Sequence, residues 1–175
     1  MIFSETPLKG AFLINIEPHQ DDRGFFARTF CREEFEKHGL NPNVVQCNIS
    51  WNARAGTLRG MHFQAAPHSE AKLVRCTRGG IHDVIVDLRP ESPTYRHQFA
   101  VELSAENRQA LFIPEFFAHG FQTLLDDTEI EYQMGEFYTP GYGRGFRYDD
   151  PIFGIEWPLP DKIVSEQDLA WPSFS

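Results

Sequence analysis

The sequence has no apolar run near the ~20 residues that a membrane-spanning helix needs. Its start, Met1-Ile2-Phe3-Ser4-Glu5, has neither the basic stretch nor the apolar core of a secretory signal. Membrane insertion and export are therefore set aside, and a cytoplasmic location is expected. Cysteine is scarce: Cys31, Cys47 and Cys76 are odd in number and lack C-x-x-C spacing. That excludes a disulfide framework or a zinc cluster and predicts reduced, buried thiols. Positive charge is also short. With 16 Lys and Arg against 25 Asp and Glu, the net charge is −9, which argues against nucleic acid and anionic membranes as partners, since both are held by neutralising phosphates. A small anionic ligand stays open, because a few Arg and Lys focused in one pocket reverse the potential locally. Gly-x-Ser-x-Gly is missing, no Cys stands in a nucleophile context, and no repeat or Ser/Gly-rich linker divides the 175 residues. One domain over 1–175 is expected.

What is abundant is Phe, with 16 residues, and aromatic side chains favour strands and the insides of sandwiches and barrels. One helix is well signalled, from Arg32 to His38, ending at Gly39, which suits a left-handed cap. Strands then recur with turns between them. They are expected over 44–50, 72–77, 81–88, 99–103, 111–113, 120–125 and 128–134, with Trp51 to Gly56 and Asp126-Asp127 as turns. Many short strands and little helix predict an all-β sandwich or jelly roll with short peripheral helices. The Pro-bearing tail over 140–175 (Pro151, Pro158, Pro160, Pro172) would wrap its outside.

Alternation assigns faces. In 128–134, Ile130, Tyr132 and Met134 share an apolar face that looks inward, opposite Glu129, Glu131 and Gln133. His62 points with Gln64, and Lys72 with Val74 and Cys76. A His, a Lys and a Tyr converging in an interior are expensive unless they bind something polar.

Each has a plain reading beside a chemical one. His62, in Gly56-Thr57-Leu58-Arg59-Gly60-Met61-His62-Phe63-Gln64, is a hydrogen-bonded structural His or a general base, and nearby Arg59 and Lys72 favour the base. Lys72 either snorkels at a strand end or holds an ammonium against a developing enolate oxygen. Tyr132 is a core phenol or a general acid. His119, in a loop over 114–120, is a turn residue or a phosphate contact. Asp168 reads as a helix-start cap. Asp83, with Asp87 on its face, reads as an inward carboxylate satisfied by Arg or Lys. A metal centre is the main rival, since jelly-roll metalloenzymes use two His one residue apart, a carboxylate and a distant His. Here Gln64 occupies the second position, Glu70 is poorly placed and only His119 remains. A metal-free site is expected. The glycines of 141–145 lack the flanking strand and helix of a nucleotide-binding loop and read as structure.

The chain resembles, along nearly its whole length, the dTDP-4-dehydrorhamnose 3,5-epimerases and related nucleotide-sugar epimerases. The resemblance rests on Asp22-Arg23-Gly24-Phe25-Phe26, Gln46-Cys47-Asn48-Ile49-Ser50, Gly56 to Gln64 and Lys72 to Cys76. It continues through Asp83-Val84-Ile85-Val86-Asp87, Ser92-Pro93-Thr94, Leu103 to Asn107, Pro114 to Phe121 and Tyr132 through Tyr138-Thr139-Pro140. Asp149-Asp150-Pro151, Ile155-Glu156-Trp157-Pro158 and Ser165 to Asp168 complete it.

It implies a cupin-like jelly roll (a double-stranded β-helix) that works without a cofactor or metal. It also implies a homodimer that exchanges N-terminal strands within 1–50, and a substrate such as dTDP-4-dehydro-6-deoxyglucose. Carried across, His62 is the base, Asp168 its orienting carboxylate, Tyr132 the acid on the opposite face and Lys72 the holder of the C4 oxygen. Arg59 and His119 hold the diphosphate with Arg23 of a partner chain, while Gln46, Asn48, Phe26 and Tyr138 line nucleoside or sugar.

Three departures stand out. Arg28 replaces a Glu suited to accept the thymine N3 proton; as a donor only, it makes a CDP-linked sugar an alternative. Phe116 replaces a Gly and is expected to narrow the pocket, and Phe146-Arg147-Tyr148 replaces a Trp-bearing segment. Inversion at one carbon only, a 3,4-ketoisomerase, a metal-dependent oxygenase and a non-catalytic sugar-nucleotide module are the remaining alternatives.

Overall fold

The computed structural model describes residues 1–174. The chain begins with β1 (Ile2–Glu5) and β2 (Phe12–Asn15), a hairpin of β3 (His19–Asp21) and β4 (Gly24–Phe26), and helix α1 (Arg32–Lys37). It continues through β5 (Gln46–Asn52), β6 (Thr57–Gln64), β7 (Lys72–Arg78), β8 (Gly80–Asp87), β9 (Gln98–Ser104), β10 (Ala110–Ile113), β11 (Phe117–Thr123) and β12 (Thr128–Met134). The tail adds β13 (Gly143–Gly145), β14 (Ile163–Val164) and a one-turn helix, α2 (Glu166–Leu169). Beside the two-stranded β3–β4 sheet, two large sheets result among the described residues, ordered β1-β2-β10-β7-β12-β5 and β13-β6-β11-β8-β9, with β14 pairing β6 in parallel. They face each other as a jelly roll.

Period-two patterning explains the layering. From the first sheet Val74, Cys76, Leu111, Ile113 and Ile130 turn inward against Ile81, Ile85, Leu103, Phe117 and Phe121 of the second. Alternate residues of the same strands are buried on the outer faces. Leu73, Ala110 and Phe112 pack beneath α1 and its Phe35, while Val84, Val86 and Ala118 pack beneath Phe146 and Phe153 of the tail. Truncating Phe35 or Phe117, each 1% exposed, would cost about 3–5 kcal/mol from lost transfer and the cavity left behind. Helix α1 stops as its sequence suggests: Gly39 takes φ +70°, and Gly39 N–H and Leu40 N–H donate to Glu36 and Phe35 carbonyls, a Schellman closure.

Four expectations are corrected. The strand expected over 44–50 runs from Gln46 to Asn52, because β12 pairs with it from Gln46↔Met134 to Asn52↔Thr128. The loop expected at His119 is the middle of β11, paired on both sides with β6 and β8. Of the thiols, Cys76 is buried, Cys31 half-buried and Cys47 exposed; Cys47 lies on the sheet's outermost strand. The tail does more than wrap: it contributes two strands, buried phenylalanines and α2.

Candidate active site

A cleft of about 640 Å³ opens between the sheets. Arg59, His62 and Gln64 reach it from β6, His119 from β11, Lys72 from β7, Tyr132 from β12 and Asn48 from β5. One local device brings β6 and β11 together: Gly60 takes φ +135°, and a Cβ there would lie 2.6 Å from Gly120 Cα. The pairing register shifts between His119 and Phe121, a bulge of the kind that re-aims side chains. As a result His62 and His119 are direct cross-strand partners.

Both histidines bond a carboxylate through Nε2. His62 Nε2 lies 2.5 Å from Asp168 Oδ1. That contact leaves Nδ1 as the free lone pair once the carboxylate holds the Nε2 proton. The His62 side chain is 44% exposed and its partner 6%, so the imidazole stands at the cleft wall rather than in the interior, as alternation alone suggested. Asp168 is not the helix cap: Ser165 is, its hydroxyl accepting from Asp168 N–H, which frees the carboxylate for His62. Burial pushes the Asp168 carboxyl up, but the His62 hydrogen bond and charge outweigh it and hold it below the usual range. His119 Nε2 lies 2.7 Å from Asp83 Oδ1, and here both side chains are buried, at 7% and 0% exposure.

Tyr132 faces these groups from the opposing sheet, its ring centroid 6.0 Å from that of His119. Burial first, then the nearby Asp83 charge, push its phenol well above the ordinary value against the pull of Arg59, so it stays protonated. Lys72 Nζ lies 2.7 Å from Glu70 Oε1, and Arg59 donates through Nε to Asn52 Oδ1 at 2.8 Å, which sets its guanidinium toward the cleft. A histidine–carboxylate pair at one wall, a neutral phenol at the other and two cations lining the same cleft suit proton removal beside a carbonyl in an anionic substrate.

A family model described as dTDP-4-dehydrorhamnose 3,5-epimerase matches residues 5–175. A dTDP-4-dehydrorhamnose 3,5-epimerase of Methanothermobacter thermautotrophicus is 47% identical over 172 residues, covering 97% of this chain and 92% of its own. The chain belongs to the dTDP-4-dehydrorhamnose 3,5-epimerase family. Among solved structures, the Elizabethkingia anophelis enzyme of that name superposes with a TM-score of 0.97 at 38% identity, covering 99% of this chain and 96% of its own. The Bacillus anthracis enzyme, solved with TDP and PPi bound, gives 0.95 at 38% identity and covers 99% of each chain.

Not every residue expected in the epimerase site reaches the cleft. Asn48, Arg59, His62, Lys72, His119, Tyr132, Tyr138 and Asp168 line it. Gln46 stands behind, donating to Asn48 Oδ1 and accepting from Tyr138 N–H. Asp83 is fully buried and bonds His119, not an Arg or Lys as its sequence setting suggested, so it meets the cleft only through that histidine. Arg23, Phe26 and Arg28 lie away from the cleft of their own chain. Arg23 is held by Asp21 of the same tight hairpin at 2.5 Å, Phe26 is 77% exposed, and Arg28 pairs with Glu34 of α1 at 2.8 Å. Phe116 does not narrow the cleft. It sits at φ +63° in the turn before β11 and is exposed, a conformation that favours Gly at such a position.

Sequence reasoning passed over Glu70, Arg144 and Trp171, which all line the epimerase cleft. Glu70 had a readable signal: two residues before Lys72, it shares that side of an extended chain. Arg144 is positioned by β13 joining β6, and Trp171 packs where a Gly145 Cβ would lie 2.6 Å from its ring; neither relation is local.

Proposed function

We propose that this epimerase inverts C3 and C5 of a dTDP-linked 4-keto-6-deoxyhexose, the reaction its relatives' names state, and that it does so through an enolate. The observation that carries the reading is His62 of one sheet, paired with Asp168 of α2, facing the protonated Tyr132 of the other sheet, with Lys72 in the same cleft. C3 and C5 both adjoin the C4 ketone. His62 Nδ1 removes the proton from one of them, the C–H electrons form a C=C bond to C4, and the carbonyl electrons move onto O4. Asp168 stabilises the imidazolium formed, and Lys72 holds the charge on O4. Tyr132 returns a proton to the same carbon from the opposite face, inverting it; the phenolate and imidazolium then exchange protons with water. An enolate carbon is a far stronger base than a phenolate, so the return runs downhill even from a buried phenol. Removing a preorganised oxyanion donor such as Lys72 would slow the reaction on the order of a hundredfold or more.

Arg59 and His119 hold the diphosphate in this reading, while Asn48, Gln46 and Tyr138 frame the nucleoside. The TDP bound in the Bacillus anthracis relative favours dTDP over the CDP alternative, and Arg28 is engaged by Glu34. The protein would act in the cytoplasm as a homodimer. The projecting β3–β4 hairpin, with Arg23 free of its own cleft and Phe25 and Phe26 exposed, would supply Arg23 and Phe26 to the site of a second copy. NMR of deuterium incorporation in D2O on the dTDP- and CDP-linked 4-keto-6-deoxyglucose tests this. Deuterium at C3 and C5 of the dTDP compound is expected; no exchange with folded protein overturns it. Sedimentation of wild type, with addition of Arg23→Ala protein to inactive His62→Ala protein, tests the shared site, since exchange of hairpins predicts partial recovery in the mixture.

A further inference from the structure

Glu70 has no part in the scheme above, yet it is the residue in ion contact with Lys72. We infer that Glu70 is the positioning residue for the Lys72 ammonium, fixing Nζ where it meets the enolate oxygen; the inference rests on the enolate reading of the cleft.

A lysine ammonium rides on four rotatable bonds and, in a cleft of this size, would be free to wander. Here it does not need to be ordered by substrate. Glu70 Oε1 lies 2.7 Å from Nζ, with both side chains under a tenth exposed. The carboxylate is itself held: Oε2 accepts from Gln64 Nε2 at 2.9 Å. Gln64, 4% exposed, is pinned at three backbone points, donating to His68 O and Phe137 O and accepting from Thr139 N–H. One continuous set of contacts thus runs from the segment after β12 through β6 to Glu70, two residues before β7, and ends on Nζ. An ammonium has three N–H groups, and one carboxylate oxygen engages one direction, leaving donors for O4.

Two effects oppose each other. For an O4 that meets Nζ on the side away from Glu70, the carboxylate would lie roughly twice as far off as the ammonium, and its charge would remove about half of the attraction that a lone ammonium would exert. Misplacing a catalytic group by about 1 Å costs on the order of a hundredfold. Placement outweighs the weakened field, and a neutral side chain that keeps an oxygen toward Nζ should therefore serve well.

The test measures deuterium exchange at C3 and C5 separately, together with kcat, KM and the dTDP dissociation constant, on the full-length protein. Glu70→Ala is expected to slow exchange at both carbons by one common factor of about 10–100, because both proceed through the same O4 charge. KM and dTDP affinity should change less than about threefold, and Glu70→Gln should recover most of the loss. A double-mutant cycle supplies the arm that survives misfolding. Glu70→Ala combined with Lys72→Ala leaves no unpaired buried charge and should exchange at the rate of Lys72→Ala alone. Wild-type rates in Glu70→Ala, a loss carried by dTDP affinity, unequal effects at C3 and C5, or a further slowing in the double variant would each overturn the inference. Absence of exchange in the wild type would instead overturn the enolate reading itself.

Discussion

The two His–Asp pairs are cross-strand neighbours built from the same parts, and they differ in where the carboxylate comes from. Asp83 reaches His119 from the next strand of the same sheet, so that pair is buried and held by the ladder on both sides. Asp168 reaches His62 from α2, one turn of helix at the end of a long tail, and leaves a histidine nearly half exposed. A base must take up and release a proton and so needs one nitrogen open to substrate. A group that holds an anion needs only to stay in place. In the proposed reading the first task falls to His62 and the second to His119, although both side chains have the same chemistry.

The sharpest way to break this contrast is to remove each imidazole in turn. His62→Ala should lower kcat for exchange at C3 and C5 by about 10³–10⁴ while dTDP binding is kept; equal losses from His119→Ala in the same assay would erase the distinction. Asp168→Asn should follow with roughly 10² in kcat, since an amide cannot hold the same tautomer, and thermal melting should show the fold intact. Tyr132→Phe should slow inversion by about 10² yet leave wash-in of deuterium with retention at the carbon His62 serves; inversion at the wild-type rate would move the acid elsewhere. Asp83→Asn should act mainly on KM, by roughly tenfold. It should also destabilise by about 1–3 kcal/mol in denaturant titration, because its buried partner loses a charge-assisted bond.

The smallest effect separates Asp83 from Asp87, which shares its face of β8 but serves the fold. Burial pushes the Asp87 carboxyl up, yet hydrogen bonds from Arg89, Ser92 and Thr94 bring it down to about 2. A carboxyl lower in the folded state than its ordinary 3.8 stabilises above that value and loses the contribution as pH falls through the folded one. The stability attributable to Asp87, about 2 kcal/mol, should therefore disappear between about pH 4 and 2. Asp87→Asn should flatten that part of a stability-against-pH curve, and an unchanged curve would place the acid sensitivity in other carboxylates.

Much of this was legible in the residues because strands write their faces at period two. The alternation in 128–134 put Tyr132 inward, and that of 72–77 put Lys72 with Val74 and Cys76; all four are turned in. The ends of strands were less legible, since Trp51 and Asn52 belong to β5 only because β12 extends alongside them. His119 looked like a loop residue because Pro114 and Gly120 bracket it, yet β6 and β8 bind that stretch from both sides. The sequence by itself determined the class of fold, the inward residues of the strands at 72–77 and 128–134 and the identity of the chemical groups. Those follow from local geometry and from motifs carried in order along the chain. The motifs had already set Asp168 beside His62 and Arg23 in a partner's site; only the tertiary structure decided that Ser165 rather than Asp168 caps α2, that Asp83 answers His119 and that Glu70 holds Lys72. Each of these is a meeting of residues far apart in the chain or a choice among competing partners, and packing, not local preference, makes that choice.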